Sequence, residues 1–260
     1  VTALYQAFSN GQPSPLAELP IQYVDFASWQ RQKLQGEVLK SQICYWKQQL
    51  NEAPQLLELP SDKPRPAVSS FHGATYSFEL SHELHMALKK LSQQQGNTLF
   101  ISLLAVFKTL LYRYTGSKDI VIGSPIANRD RIELEGLIGL FANTIALRTN
   151  LAGNPTFEEL LTRVRKIALG ANAHQDLPFE QLVEELQPQR NLSYTPVFQV
   201  MFILQNTPMS VLELPGLTIS PLTIDNGSAK FDLTLEITET SEKLFANLEF
   251  NTDLFEAATI

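Results

Sequence analysis

Apolar residues recur along the chain at two spacings, and the points where one gives way to the other mark its elements. Residues 1–8 read as the last turns of a helix, ended by the breaker cluster Ser9-Asn10-Gly11-Gln12-Pro13. Between Asp25 and Leu50, the residues Phe26, Trp29, Leu34, Val38, Ile43, Tyr45, Trp46 and Leu50 alternate with Gln, Lys and Arg at helical spacing. This predicts one long helix, or two broken near Gly36, with the aromatic side chains turned inward. Four prolines follow within residues 51–70, at positions 54, 60, 64 and 66. That density sustains neither a helix nor a central strand and predicts an extended connector. The chain accordingly divides into a helical tail over 1–52, a Pro-rich connector over 53–70 and a lobe over 71–260.

Ala74 to Leu80 alternates as a strand, and Ser81 opens an amphipathic helix that ends near Gly96. Thr98 caps a second helix. Its residues Leu99, Ile101, Leu103, Leu104, Val106, Phe107, Leu110 and Leu111 are apolar nearly all round, which predicts a buried helix rather than one lying on the surface, closed by Gly116. Strands are expected at 119–125, 141–151, 197–204, 217–220, 231–238 and 243–251. Thr156-Phe157-Glu158-Glu159 is a capping box, and its helix is expected to stop at Gly170. A short helix spans 179–186. Strands and helices interleave irregularly, so the fold class is α/β, a layered lobe in which helices cover a mixed sheet.

Composition narrows the function. At 260 residues, 44% hydrophobic and 18% charged, the chain builds a large core without metal or disulfide. Its single cysteine, Cys44, excludes an internal disulfide, fits a reducing cytoplasm and is expected to be an inert buried thiol. The formal charge of −7 contains no basic stripe, which argues against nucleic acid. The longest apolar run, Leu99 to Phe107 interrupted by Ser102, is far shorter than the roughly 18 residues of a membrane span. The first residues carry neither Met nor a basic leader, and they read as a cut inside a longer polypeptide.

No nucleophile elbow, P-loop, zinc-protease or dinucleotide motif occurs. His82 and His85 stand three apart but lack further ligands, so they are expected to be solvated helix residues and no metal site is predicted. Two polar clusters remain. In His174-Gln175-Asp176-Leu177-Pro178-Phe179-Glu180, Asp176 reads as a helix N-cap with Pro178 in the first turn and Phe179 packed inward. His174 and Gln175 have no such structural reason. The second cluster runs from Gly123 to Arg129 and on through Gly139, Phe141, Asn143 and Thr144 to Arg148; Asn143 and Thr144 enter an apolar strand, where they either form a satisfied network or line a cavity.

Together these clusters resemble the core motifs of condensation domains of non-ribosomal peptide synthetases. Tyr23-Val24-Asp25-Phe26-Ala27-Ser28-Trp29 resembles YxDFAxW, and Leu59 to Pro66 resembles the LPxDxxRP connector. Ile138 to Arg148 resembles IGxFVNTxxxR, with Ala142 where the family usually has Val, and His174 to Glu180 matches (H/N)QDxPFE. Arg190 to Val197 follows RDxSRxPL in part, keeping the Arg, Ser and Pro. The HHxxxDG motif that carries catalysis in the family is absent; it is expected about one helix before Val1, so truncation accounts for its loss.

The resemblance implies a chloramphenicol acetyltransferase-like lobe, preceded by the helical tail of a second, similar lobe. It implies peptide-bond formation between donor and acceptor aminoacyl thioesters carried on the phosphopantetheine of partner carrier domains. No cofactor is then bound directly, and the partners are upstream and downstream peptidyl carriers, an adenylation domain and the domain's own N-terminal lobe, in the cytoplasm. Asn143, Thr144, His174, Gln175 and Asp176 would belong to one wall of the substrate tunnel as positioning groups. Tyr23, Asp25, Trp29, Gly139, Phe141, Arg148, Pro178, Phe179 and Arg190 would be structural. The fragment alone is expected to be inactive. The alternatives are an epimerisation or heterocyclisation relative, against which the Phe141-Ala142-Asn143-Thr144 strand argues, and a carrier-docking or structural module without catalysis.

Overall fold

The computed structural model describes residues 2–189, 191–205, 214, 216, 217, 219, 222, 226–240 and 242–260. In chain order these form α1 (Thr2–Ser9), α2 (Tyr23–Lys33), α3 (Gly36–Leu50), β1 (Gly73–Leu80), α4 (His82–Gln94), α5 (Leu99–Thr115) and β2 (Asp119–Ile126). There follow α6 (Ile132–Glu135), β3 (Asn143–Asn150), α7 (Phe157–Ala173), α8 (Phe179–Leu186), β4 (Val200–Gln205), β5 (Leu233–Glu239) and β6 (Leu244–Asn251). The helical stretch expected over 25–50 is two helices, broken just before Gly36. Among the described residues the strand expected at 217–220 is only a bridge between Leu214 and Leu217; Thr218 and Ser220 lie outside the described residues.

One mixed sheet organises the lobe in the order β1-β6-β5-β4-β2-β3. β4 runs parallel to both β2 and β5, and the remaining pairs are antiparallel. α5 packs against α4 and α7, and α7 against β3. The core joins Leu104, Phe107 and Leu111 of α5 to Ile120, Ile122, Leu147 and Phe202 of the sheet, and it also takes in Trp46, Leu50 and Leu57. α3 and the connector are thus packed into the same apolar mass as the sheet, whereas Phe26 of α2 joins Leu134, Leu137 and Phe141 in a separate, smaller cluster.

Local sequence sets the boundaries. Ser81 Oγ accepts from Leu84 N, Thr98 Oγ1 from Ile101 N and Thr156 Oγ1 from Glu159 N, each satisfying a helix N-terminal donor. Gly116 ends α5 in the left-handed conformation. In the connector, Arg65 forms a bidentate ion pair with buried Asp232 and also donates to Ser193 O, which ties the Pro-rich segment to the start of β5.

α5 is buried along most of its length, as expected, while Val106, Leu110 and Tyr114, spaced by four, form an open stripe. Three expectations are corrected. α7 runs through Gly170 to Ala173, since the helix hydrogen bonds outweigh the propensity cost of one glycine. Cys44 is exposed, because Ile43, Tyr45 and Trp46 occupy the inward positions of α3. His85 is 1% exposed rather than solvated; its Nε2 lies 3.1 Å from Glu239 Oε1, which Lys89 also contacts at 2.8 Å.

Lys108 of α5 is also wholly buried, donating to Leu147 O at 2.6 Å and Ile120 O at 3.2 Å. Burial lowers its pKa to about 7, against the opposing pull of Asp119.

Candidate functional site

Asn143 opens β3, and its amide is fully used. Nδ2 donates to Gln175 O at 2.9 Å and to Leu177 O at 2.8 Å; Oδ1 accepts from Thr144 N at 2.8 Å and Phe179 N at 3.0 Å. Two donors and two acceptors exhaust what a carboxamide offers. The side chain therefore clamps the 174–178 turn to the strand. It also serves α8: the N-cap residue is Pro178, which supplies no side-chain cap, and Asn143 takes the first orphan N–H of the helix instead. Asp176, expected as that N-cap, is instead paired with Lys33 at 2.6 Å, since the helix begins two residues too late for its carboxylate to reach.

His174 ties the same turn to α3. Its ring stacks on Tyr45 with centroids 3.9 Å apart and planes 3° apart, its Nδ1 lies 2.9 Å from Gly170 O, and its carbonyl accepts from Trp46 Nε1 at 2.8 Å. Burial raises the Tyr45 pKa. A Cβ at Gly170 would lie 2.5 Å from the Tyr45 hydroxyl, so glycine is required for this approach. Arg148 completes the attachment. Its guanidinium holds Asp119 through Nε and Nη2 and donates through Nη1 to Gln49 O at 3.1 Å and Asn51 O at 2.6 Å, satisfying carbonyls at the C-terminal end of α3. The Asp119 carboxylate holds the Arg148 pKa above its ordinary value.

A second knot joins α2 to the segment before β3. Tyr23 Oη donates to Leu140 O at 2.9 Å, and its ring meets Phe141 edge-on at 5.3 Å. Phe26 lies 4.6 Å from Phe141, and Arg129 and Arg131 sit over Phe141 and Trp29 at 4.1 and 4.5 Å. Gly139 passes so close to the Tyr23 ring that any Cβ would overlap it. Asp25 accepts from Gln22 N at 2.8 Å and so fixes the start of α2.

An open cleft of about 540 Å³ lies outside the carboxyl ends of β2 and β4, between the start of α5 and the end of α7. Ser124, Ile126, Ala142 and Ile145 line it beside Asn172 and Gln205. The structure thus brings Asn143, Thr144, His174, Gln175 and Asp176 together as a clasp, while the cleft wall is made by their chain neighbours Ala142 and Asn172. Thr98, Asn172 and Gln205 carry no signal of a site in the sequence. Each is an ordinary polar residue at a helix or strand end, and only the fold gathers them. A larger hollow of about 600 Å³ between α8 and 191–196 contains none of the clasp residues. Arg190 lies outside the described residues. Among the described residues there is no group of three or more His, Cys, Asp or Glu that could hold a metal, and no helix is long and apolar enough to cross a membrane.

A family model described as "Condensation domain" matches residues 1–260. One of the linear gramicidin synthase polypeptides of Brevibacillus parabrevis is 54% identical over 262 residues, covering all of this chain but 3% of the relative. Phosphinothricin tripeptide synthetase PhsC of Streptomyces viridochromogenes is 44% identical over 263 residues, covering all of this chain and 24% of the relative. The chain therefore spans only a small part of the length of these relatives. The solved X-domain from teicoplanin biosynthesis matches with a TM-score of 0.90 at 31% identity, over 99% of this chain and 60% of that one. The first condensation domain of the CDA synthetase shares the fold, with a TM-score of 0.77 at 20% identity, over 99% of this chain and 55% of that one.

Proposed function

Because the chain belongs to the condensation-domain family, we propose that it forms one wall of a site where an acceptor amine attacks the carbonyl of a carrier-bound donor thioester. In that reaction the C–N bond forms through a tetrahedral oxyanion, the C–S bond breaks, and the released thiol carries away the sulfur. A thioester is already activated, so the larger contribution is the positioning of two tethered reactants. The observation that carries this reading is the Asn143 clamp. Its four hydrogen bonds leave no capacity for proton transfer, and they hold the 174–178 turn rigidly beside the cleft.

On this reading Asn143, Thr144, His174, Gln175 and Asp176 are positioning groups. The base is supplied by an HHxxxDG segment, which this sequence does not contain. The helical tail 1–52 belongs to the N-terminal lobe, 53–70 is the connector and 71–260 is the C-terminal lobe. The phosphopantetheine arms of two peptidyl carriers deliver the substrates in the cytoplasm, and an adjacent adenylation domain selects the amino acid.

The test uses two carriers loaded with aminoacyl thioesters. The parent synthetase is expected to form the amide, and Asn143→Ala in it to lower the rate while leaving carrier binding in place. The 260-residue chain alone is expected to form none. Amide formation by the chain alone, or an unchanged rate in the Asn143→Ala synthetase, would overturn the assignment.

A further inference from the structure

The cleft outside β2 and β4 has a composition that points to a ligand class. β2 and β4 are parallel neighbours that meet at Gly123 and Met201, and both point their carboxyl ends into it. That is where open α/β sheets bind ligands. Its volume of about 540 Å³ lies within the roughly 300–1,000 Å³ of small-molecule sites. The floor is mainly apolar, from Ile126, Ile145 and Leu204 with the buried hydroxyl-bearing Ser124, and the polar side chains at its edge, Thr98, Asn172 and Gln205, are uncharged. Among the described residues no ionisable side chain lines it, so a charged group entering it would be desolvated without a counter-charge.

Small residues keep it open. Ala127, Ala142 and Ala168 all reach its wall, from the end of β2, the start of β3 and the flank of α7. Ala142 stands directly before the Asn143 clamp, so its position is fixed by the four hydrogen bonds of its neighbour. It is also the position at which this chain departs from its resembled motif by having Ala in place of Val.

We propose that this cleft seats the side chain of one carrier-bound aminoacyl group, that it takes a bulky, uncharged, apolar side chain, and that Ala142 sets the size it admits. The inference rests on the positioning role given above and adds the substrate class.

The chain itself is titrated with three stable conjugates, N-acetyl-phenylalanyl-, N-acetyl-alanyl- and N-acetyl-aspartyl-pantetheine amides, and binding is followed by saturation-transfer NMR. The phenylalanyl conjugate is expected to bind about ten-fold more tightly than the alanyl one, as burial of an aromatic ring implies, with transfer to the ring protons. The aspartyl conjugate is expected to bind no better than the alanyl one. Ala142→Trp fills the cleft and is expected to erase the phenylalanyl preference, so that the phenylalanyl conjugate binds no better than the alanyl one. Ala127→Trp, at an exposed position on the rim, is expected to do the same and decides the matter if the first variant does not fold. Absence of a phenylalanyl preference, including absence of binding by every conjugate, overturns the inference. So does a preference that survives in a folded tryptophan variant. A parent synthetase that forms amides without regard to side-chain size overturns this inference alone, whereas one that forms none overturns the positioning reading.

Discussion

At the scale of single residues, Asn143 and Lys108 show two ways of burying polarity. Asn143 has a partner for every lone pair and proton, so removing its side chain strands two backbone carbonyls and the first N–H of α8. Asn143→Ala is expected to destabilise the protein by about 2 kcal/mol in urea denaturation, the cost of leaving such groups unpaired. Asn143→Asp should be at least as damaging, because a carboxylate would face the Gln175 and Leu177 carbonyls without a donor. Lys108 has only two carbonyl acceptors, Ile120 O and Leu147 O, which a neutral amine satisfies as well as an ammonium does. With its pKa lowered from 10.5 to about 7 in the folded protein, the native state has released a proton between those values while the unfolded chain still holds it. Stability should therefore rise from pH 7 towards pH 10.5, by an amount on the order of several kcal/mol, and be lowest below pH 7 where the buried ammonium is fully charged. The charge that acts on Lys108 is that of Asp119, which Arg148 holds. Thermal melts of Lys108→Met over the same range should lack the slope that Lys108 contributes; an unchanged slope would assign it to other groups.

At the scale of elements, local chemistry is legible in the sequence and long-range partnership is not. The caps at Ser81, Thr98 and Thr156 act within three residues of themselves, and the short-range pattern locates each helix start. His85 cannot be read in this way. Its burial depends on Glu239, which is 154 positions away and arrives only when β5 pairs with β6. Asp176 misleads for the same reason: a local N-cap is the economical reading, and Lys33 of α2 is invisible to it. The clasp is legible as a set of motif residues, but that Asn143 faces the turn while Ala142 faces the cleft is a property of the fold. Gly170 exposes a conflict between local propensity and tertiary packing. Inside α7, alanine is intrinsically favoured over glycine by about 1 kcal/mol. Yet its Cβ would stand 2.5 Å from the Tyr45 hydroxyl and 3.3 Å from two carbons of that ring. Gly170→Ala is expected to lower the melting temperature in the wild-type background and to cost less in Tyr45→Phe, which lacks the colliding oxygen. Equal effects in both backgrounds would show that the contact does not govern the site.

At the scale of the whole molecule, the motif residues hold the N-terminal helices α2 and α3 to the sheet and its helices. What joins α2 and α3 to the rest of the chain, besides the apolar core, is a set of side chains distant in the sequence: Arg148 on the end of α3, His174 on Tyr45, Asp176 on Lys33 and Phe141 on Tyr23 and Phe26. Of these, Arg148 acts through fork geometry, joining a carboxylate to two helix-end carbonyls at once. A lysine keeps the charge but spans only one of those groups at a time. Arg148→Lys should therefore leave the lobe folded, with near-unchanged circular dichroism, yet loosen the seating of α3. Limited proteolysis reads this directly: cleavage within residues 51–70 should become several-fold faster than in the wild type, while cleavage within β2 and β3 does not. If both regions became equally sensitive, the arginine would be supporting the sheet itself, and if neither did, the apolar seating of Trp46 and Leu50 in the core would suffice to hold α3.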